Sequence, residues 1–319
     1  MPEVGDTHYK LVTRGILDGR VVPFLGAGVN LCGRPADTPW KRGEFYPSGT
    51  ELAKHLAEHF DYPPEEDHDL ERISQYVSIM TGSGPLYETL HEIFDADYPP
   101  TILHEFLANL PAIRAERQAP GRHQLIVTTN YDDAMERALD AAREEFDLVT
   151  YCADGEYRGK FLHWPAGEEE ARLIERPNEY ADISLEDRSV VLKIHGLVDR
   201  KTLDWEYDSY VITMDHYLDY LARYELSNLI PVTLAAKLKK SHFLFLGYSL
   251  RDFNLNVILR RLWGEQKLSY KSWAVQLNPS LLDQEIARTR GIDIVDVKLD
   301  EYVQELEQRV RAPVEETAA

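Results

Sequence analysis

Four short polar segments hold the side chains that could do chemistry, and each directly follows a run of apolar residues. Gly26-Ala27-Gly28 follows Val21–Leu25. Two glycines at a strand end allow a tight turn whose backbone N–H groups can approach a phosphate. The dinucleotide fingerprint is incomplete, because Leu31 stands where its third glycine would fall and Cys32-Gly33-Arg34-Pro35 replaces the expected helix. A plain strand-end turn accounts for the same residues. Thr128-Thr129-Asn130-Tyr131-Asp132 opens a helical pattern. Asn130 or Asp132 could cap that helix, or could face a ligand at the strand's carboxyl end. His195-Gly196 follows Val190–Ile194, placing an imidazole that could serve as a base or simply as structure. Gly247-Tyr248-Ser249-Leu250-Arg251-Asp252 follows Phe243–Leu246 and repeats the form of glycine, hydroxyl and helix.

The elements that must position these segments are legible from periodicity. Val21–Leu25, Leu125–Thr129, Val190–Ile194, Phe243–Leu246, Trp273–Leu277 and Ile292–Val295 read as strands, mostly buried on both faces. Helical patterns run over Glu51–Phe60, Asp69–Met80, Pro85–Phe94, Ile102–Leu107, Asp133–Arg143, Leu218–Tyr224, Leu234–Lys239, Leu255–Trp263 and Tyr302–Val310. This alternation predicts an α/β fold with a doubly wound parallel sheet. In such a sheet all four polar segments meet at one edge. Two stretches interrupt the alternation: a helical one at about 51–110 and an irregular, acid-rich one at about 151–188. The second is too long for a plain connection and predicts a functional insertion or a contact surface. Residues 311–319 read as a frayed tail.

Composition narrows the function classes. The chain has 319 residues, 44% hydrophobic and 10% aromatic, which excludes a disordered protein. Its net charge of −20, with no basic run, argues against direct nucleic-acid or membrane partners. No apolar run is long enough to span a bilayer, and the opening residues resemble no signal or transit peptide, so a cytoplasmic location is expected. The two cysteines, Cys32 and Cys152, cannot form a disulfide framework or a four-thiolate zinc site. His55-Leu56-Ala57-Glu58-His59 matches the inverted zinc-protease pattern. It lies on a helix that otherwise reads as amphipathic and lacks a third ligand, so no metal is expected.

Phe24–Asn30, Thr128–Asp132, Lys193–Gly196 and Phe245–Asp252 resemble, in order and spacing, the motifs of the SIR2 (sirtuin-like) superfamily. The resemblance is closest to its bacterial SIR2-like branch in anti-phage defence systems and runs from about Ile16 to the end. It implies a single Rossmann-like NAD-binding domain over 1–310 that carries the two insertions and lacks the zinc module of the deacetylases. It further implies that Gly26, Ala27 and Gly28 hold the pyrophosphate of NAD+ through backbone N–H groups. Asn130 would lie beside the nicotinamide ribose, Asp132 would meet the carboxamide, and His195 would be the general base. Gly247, Ser249 and Asp252, with Asn30 and Thr129, complete the implied cofactor-binding set. Asn30 stands where the family usually has serine, and Thr129 where its deacetylases have glutamine.

These residue types suit cleavage of the nicotinamide–ribose bond. The nicotinamide nitrogen of NAD+ already carries positive charge and departs neutral, so no general acid is needed. An oriented amide and a carboxylate can stabilise the oxocarbenium-like ribose, and an imidazole of ordinary pKa near 6.5 can accept a proton at cytosolic pH. The expected activity is thus NAD+ hydrolysis to nicotinamide and ADP-ribose, in the effector of an abortive-infection defence. The alternatives are an NAD-dependent protein deacylase and a catalytically silent NAD or ADP-ribose sensor; a dehydrogenase fits less well, given the incomplete glycine fingerprint. The resemblance implies a separate sensor, ATPase or Argonaute-type partner, and the need to restrain a toxic NAD+ cleavage predicts a homo-oligomer held in a low-activity state.

Overall fold

The computed structural model describes residues 5–35, 37–202, 204–222, 230–248 and 270–312. Among them a nine-stranded sheet has the order β11-β10-β9-β1-β2-β6-β3-β4-β5. Strands β1 (Val21–Leu25), β2 (Leu125–Thr128), β3 (Phe146–Tyr151), β6 (Ser189–Lys193), β9 (His242–Leu246), β10 (Ser272–Val275) and β11 (Ile292–Val295) pair in parallel. Two antiparallel strands, β4 (Phe161–Trp164) and β5 (Arg172–Ile174), extend one edge, and β7 (Gly196–Leu197) and β8 (Ser209–Tyr210) form a separate antiparallel pair. The expected parallel, doubly wound α/β fold is present. The stretch 151–188 is less irregular than its composition suggests, since it supplies these edge strands.

Helices cover both faces. On one, α1 (Asp6–Leu17), α5 (Ile102–Glu116), α6 (Ala134–Ala141) and the C-terminal helix Leu299–Arg311 pack around Val12, Leu107, Leu139 and Leu306. On the other, the helices Val232–Lys239 and Leu281–Thr289 join residues of the second insertion over Phe24, Leu192 and Phe243. The central strands are buried along their whole length, as their apolar runs require. Pro23 lies inside β1, yet the pairing of β1 with β2 begins one residue later at Phe24, so the missing N–H leaves that ladder intact.

The first insertion holds α2 (Gly49–His59), α3 (Leu70–Thr81) and α4 (Ser83–Phe94). These form their own apolar core around Leu56, Ile73, Val77 and Leu90, which also takes in Ala134, Val198, Tyr210 and Ile212. The helical insertion is thereby seated on the edge of the sheet where β2 and β6 end. Ser48 and Glu51 close a capping box that starts α2, and Glu51 also receives both guanidinium nitrogens of Arg34. That neighbour holds the Glu51 carboxyl down at about 2.

Several elements differ from the sequence reading. Helix α5 continues through Pro111 to Glu116 instead of stopping at Leu107. A proline four residues on cannot donate to the Leu107 carbonyl, and Gln124 Nε2 donates to it instead at 2.6 Å. Helix α7 spans Met214–Ala222, starting four residues before the expected pattern. Helices α1 and Leu281–Thr289, and strands β3 to β5, were not anticipated. The helical pattern at Leu255–Trp263 lies outside the described residues, as does the tail from residue 313. No helix among the described residues is long and apolar enough to cross a membrane.

Candidate functional site

Strands β9, β1, β2 and β6 are consecutive neighbours in the sheet, so the four polar segments emerge side by side at its carboxyl edge. From β1 the chain winds to β2 and β6 on one side and returns later to β9, β10 and β11 on the other. The loops after β1 and β9 therefore flank the crevice where the winding direction reverses, the usual place for a ligand in an open α/β sheet.

Backbone contacts hold these loops close. The N–H of Gly26 donates to Leu246 O at 3.0 Å, and that of Gly28 to Gly247 O at 2.9 Å. Ala27 is exposed, and its N–H has no partner among the described residues. A Cβ on Gly28 would sit 2.8 Å from both the Cα and the O of Gly247. The glycines therefore let two strand-end turns stack directly on each other. Of the three N–H groups expected to meet phosphate, two are already engaged within the protein.

The loop after β2 is fixed next. Thr129 N and Thr128 Oγ1 both donate to Leu25 O at 3.1 Å, and Asn130 N donates to Thr128 Oγ1 at 3.0 Å. The Asn130 side-chain amide reaches Gly26 O at 3.3 Å, tying the β2 loop to the glycine turn. Asp132 uses its two oxygens differently. Oδ1 accepts from Ala134 N, the first N–H of α6, at 3.1 Å, while Oδ2 accepts from Asn30 Nδ2 at 2.7 Å. The N-cap position itself is Asp133, whose side chain makes no capping bond. Asn30 Oδ1 is buried without a partner among the described residues. Thr129 Oγ1 lies 2.7 Å from the Tyr248 hydroxyl across the crevice.

His195 follows β6, with its backbone O receiving Val211 N at 2.8 Å. Gly196 then bends the chain with φ of 95°, and a Cβ there would collide with the Ser209 carbonyl. The imidazole is 5% exposed, and burial pulls its pKa down to about 3. It is therefore neutral at physiological pH, and not half-titrated as its ordinary value would suggest. The Tyr217 ring stands edge-on to it at 5.8 Å. That tyrosine lies on α7, which both insertions pin down. His216 Nε2 lies 3.2 Å from Asp154 Oδ2, Gln75 Nε2 donates to Asp215 at 2.9 Å, and Arg158 pairs with Asp219. Tyr87 donates to the same Asp154 oxygen at 2.8 Å.

Beneath the loop, Lys193 is 1% exposed. Its ammonium donates to the Asp132 carbonyl and to Glu136 Oε1, the latter at 2.6 Å. Burial raises the Glu136 pKa, although the Lys193 charge opposes the shift. A cavity of about 270 Å³ opens beside Gly28 and Gly247, lined also by Cys32, Gln276 and Asp300. A larger one, about 650 Å³, runs along α6 by Trp164 and Arg200 and includes none of the residues gathered at the strand ends.

The structure thus forms two bonded pairs at neighbouring strand ends, Asn30 with Asp132 and Asn130 with Gly26, with Ala27, Gly28, Thr129 and Gly247 in the same loops and His195 on the next strand end. Ser249 and Asp252 lie outside the described residues. Tyr248, Tyr217 and the Lys193–Glu136 pair went unassigned in the sequence. Tyr248 and Lys193 lie inside the recognised motifs, whereas nothing in the pattern marks Tyr217. His55 packs edge-on to Trp40, and among the described residues no three His, Cys, Asp or Glu side chains are grouped to hold a metal.

Comparison with known proteins gives the family. Defense-associated sirtuin 2 of Bacillus subtilis is 26% identical over 297 residues, covering 90% of this chain and 24% of that protein. NAD(+) hydrolase ThsA of Bacillus cereus is 23% identical over 268 residues, covering 82% and 44%. The protein of the same name from Acinetobacter baumannii is 26% identical over 240 residues, covering 75% and 38%. The chain therefore spans less than half the length of these relatives. The SIR2-like domain family matches residues 124–295, more than half of the sequence, and this chain belongs to that family.

Proposed function

We propose that this chain hydrolyses NAD+ to nicotinamide and ADP-ribose, as the effector of a bacterial anti-phage defence system. The observation that carries the reading is the two bonded pairs Asn30–Asp132 and Asn130–Gly26 at the crevice, with the neutral His195 on the neighbouring strand end. In this reading Asn130 orients a water molecule at C1′ of the nicotinamide ribose. Asp132, aimed by Asn30, faces the carboxamide and the positive charge that develops on the ribose. His195, uncharged at working pH, accepts a proton from water or a ribose hydroxyl.

The remaining groups bind. Asn30 Oδ1 is a buried acceptor without a partner among the described residues, and a ribose hydroxyl would satisfy it. The Ala27 N–H is the one left for the pyrophosphate, with Gly26 and Gly28 shaping the turn. The Thr129 hydroxyl and Gly247 line the approach, and the cavity beside Gly28 takes the adenosine side. Ser249 and Asp252, outside the described residues, complete the binding set in this reading. No step requires a metal.

The names of the relatives, two NAD(+) hydrolases and a defense-associated sirtuin, support the reaction and its setting. We extend the reading to one SIR2-like unit over residues 1–310, working in the cytoplasm as a homo-oligomer in abortive infection. Activity must be conditional, because uncontrolled cleavage would drain the host's own NAD+. A separate sensor, ATPase or Argonaute-type partner would release it. Asn130 at 8% and His195 at 5% exposure fit a closed, restrained state.

Incubation with NAD+ and chromatographic separation of the products tests the proposal. Nicotinamide with ADP-ribose is expected. Binding without cleavage, in the assembled and partner-activated state, would favour a silent sensor instead. Turnover only in the presence of an acylated peptide would favour a deacylase.

A further inference from the structure

We infer that Lys193 and Glu136 are positioning residues that hold the Asn130–Asp132 loop in its reacting geometry; this rests on the proposed cleavage of NAD+. Lys193 is the last residue of β6, two positions before His195, and it stands in register with Thr128, the last residue of β2. Its ammonium reaches sideways to the backbone carbonyl of Asp132 and to Oε1 of Glu136, one turn into α6. One buried cation therefore joins the strand that leads to His195, the loop that carries Asn130 and Asp132, and helix α6, whose first N–H donates to Asp132.

Fold stability alone does not call for this pair. A buried ion pair loses much of its attraction to desolvation, and an apolar pair of similar volume often serves the fold equally well. What an apolar pair cannot supply is a donor for the Asp132 carbonyl. Backbone bonds already hold the first part of the loop, from Thr129 N to Leu25 O and from Val198 N to Tyr131 O. Beyond those points, the carbonyl of Asp132 sets the peptide plane that leads into Asp133 and α6. It thereby sets the direction in which the Asp132 carboxylate meets Asn30. Glu136 neutralises the ammonium and keeps it aimed inward. Its second oxygen has no partner among the described residues, so within them the bond to Lys193 is what orients the carboxylate.

The test compares the wild-type chain with Lys193→Met and with the double variant Lys193→Met/Glu136→Leu. The single variant strands a buried carboxylate and can fail to fold; the double variant removes both charges and keeps the volume. Melting temperature, amide hydrogen exchange over residues 130–134, and kcat and KM for NAD+ are measured on each folded form. The double variant is expected to melt within a few degrees of wild type and to exchange faster over 130–134. Its kcat is expected to fall on the order of 10- to 100-fold, the scale of a small misplacement of reacting groups, with KM changed less than about threefold. Unchanged exchange over 130–134 would overturn the inference whatever the kinetics. Faster exchange with an unaltered kcat would overturn the link to catalysis. A wild-type chain that leaves NAD+ intact in its assembled, partner-activated state would instead sink the proposed function, and the exchange measurement would still decide whether Lys193 holds the loop.

Discussion

The side-chain amide of Asn30 donates to Asp132 Oδ2 at 2.7 Å, joining the turn after β1 to the loop after β2 across 102 residues of sequence. Both side chains are buried, Asn30 at 6% and Asp132 at 4% exposure. The amide is therefore the fixed partner of a carboxylate that water barely reaches. Asn30→Ala would leave that oxygen unpaired at about 1–3 kcal/mol, and the melting temperature and kcat should fall together. Asn30→Asp is more diagnostic. Two buried carboxyls at this separation cannot both ionise, so one keeps its proton and its folded pKa lies above the unfolded value. The folded state then binds the extra proton, and stability declines as pH rises through that range. Thermal melts at pH 5 and pH 8 should show the variant losing more at pH 8 than wild type does.

His195 predicts the opposite slope. Its folded pKa is about 3 against 6.5 for the free group, so the unfolded chain takes up the proton first. Stability from this group is complete above pH 6.5 and is lost as pH falls toward 3, by up to about 1.4 kcal/mol per pH unit. Burial likewise holds His8 at about 4 and His104 at about 3, and both add to the acid sensitivity. His195→Asn should make the melting temperature less dependent on pH between 7 and 5. In wild type, kcat should show no inflection near pH 6.5, because the buried imidazole is already neutral there. An inflection at 6.5 that disappears in His195→Asn would contradict this.

Removing the proposed catalytic groups should separate chemistry from folding. Asn130→Ala and His195→Ala are each expected to lower NAD+ cleavage on the order of 10²- to 10⁴-fold in the active assembly. Circular dichroism should stay near wild type, since both residues sit on loops beyond the strand ends. A well-folded variant that cleaves at the wild-type rate would remove that residue from the mechanism.

Gly28→Val tests whether the glycine turn serves packing or phosphate. The Cβ would enter space held by the Gly247 backbone, 2.8 Å away. Neither neighbour is a flexible side chain that could yield, so the turns after β1 and β9 must part. Loss of soluble yield or a melting temperature lower by several degrees is expected before any selective loss of NAD+ affinity. A variant as stable as wild type, but unable to bind NAD+ in calorimetric titration, would return the glycine to a purely ligand-contacting role.

Control of the site can be probed at α7. Asp154 accepts from Tyr87 and lies beside His216, and the next residue, Tyr217, covers the His195 ring. Asp154→Ala would cut the link from this helix to α4 and loosen the cover. The proposed gating predicts a basal cleavage rate several-fold above wild type, measured without any partner and across a dilution series followed by light scattering. An unchanged basal rate, or a wild-type monomer already at full speed, would remove α7 from the control of activity.

The sequence by itself determined the parallel core and the edge where chemistry would gather. Strands buried on both faces must be written in apolar residues, and the polar segments that interrupt them can only be loops. It was less informative where burial is polar. Asp147 and Thr150 break the apolar pattern of β3, yet both are buried, Asp147 with Ala166 N, Arg188 and His163 around it. The helix Leu281–Thr289 exposes Leu281 and Leu282 and buries Asp283 in its cap, inverting the usual signal. Helix α5 runs past Pro111 because a side chain from Gln124 satisfies the stranded carbonyl, a partner that no local pattern predicts.

The site divides in the same way. Residue type and order nominate Gly26, Asn130, Asp132 and His195, because a strand end, a cap and an imidazole are local features. Which atoms meet is a matter of distance in space. Only the folded chain stacks Gly28 on Gly247, turns Asn30 toward Asp132, lays Tyr217 against His195 and buries Lys193 beneath the loop. Burial likewise moved the His195 pKa to about 3, since desolvation depends on everything packed around the ring and not on its neighbours in sequence.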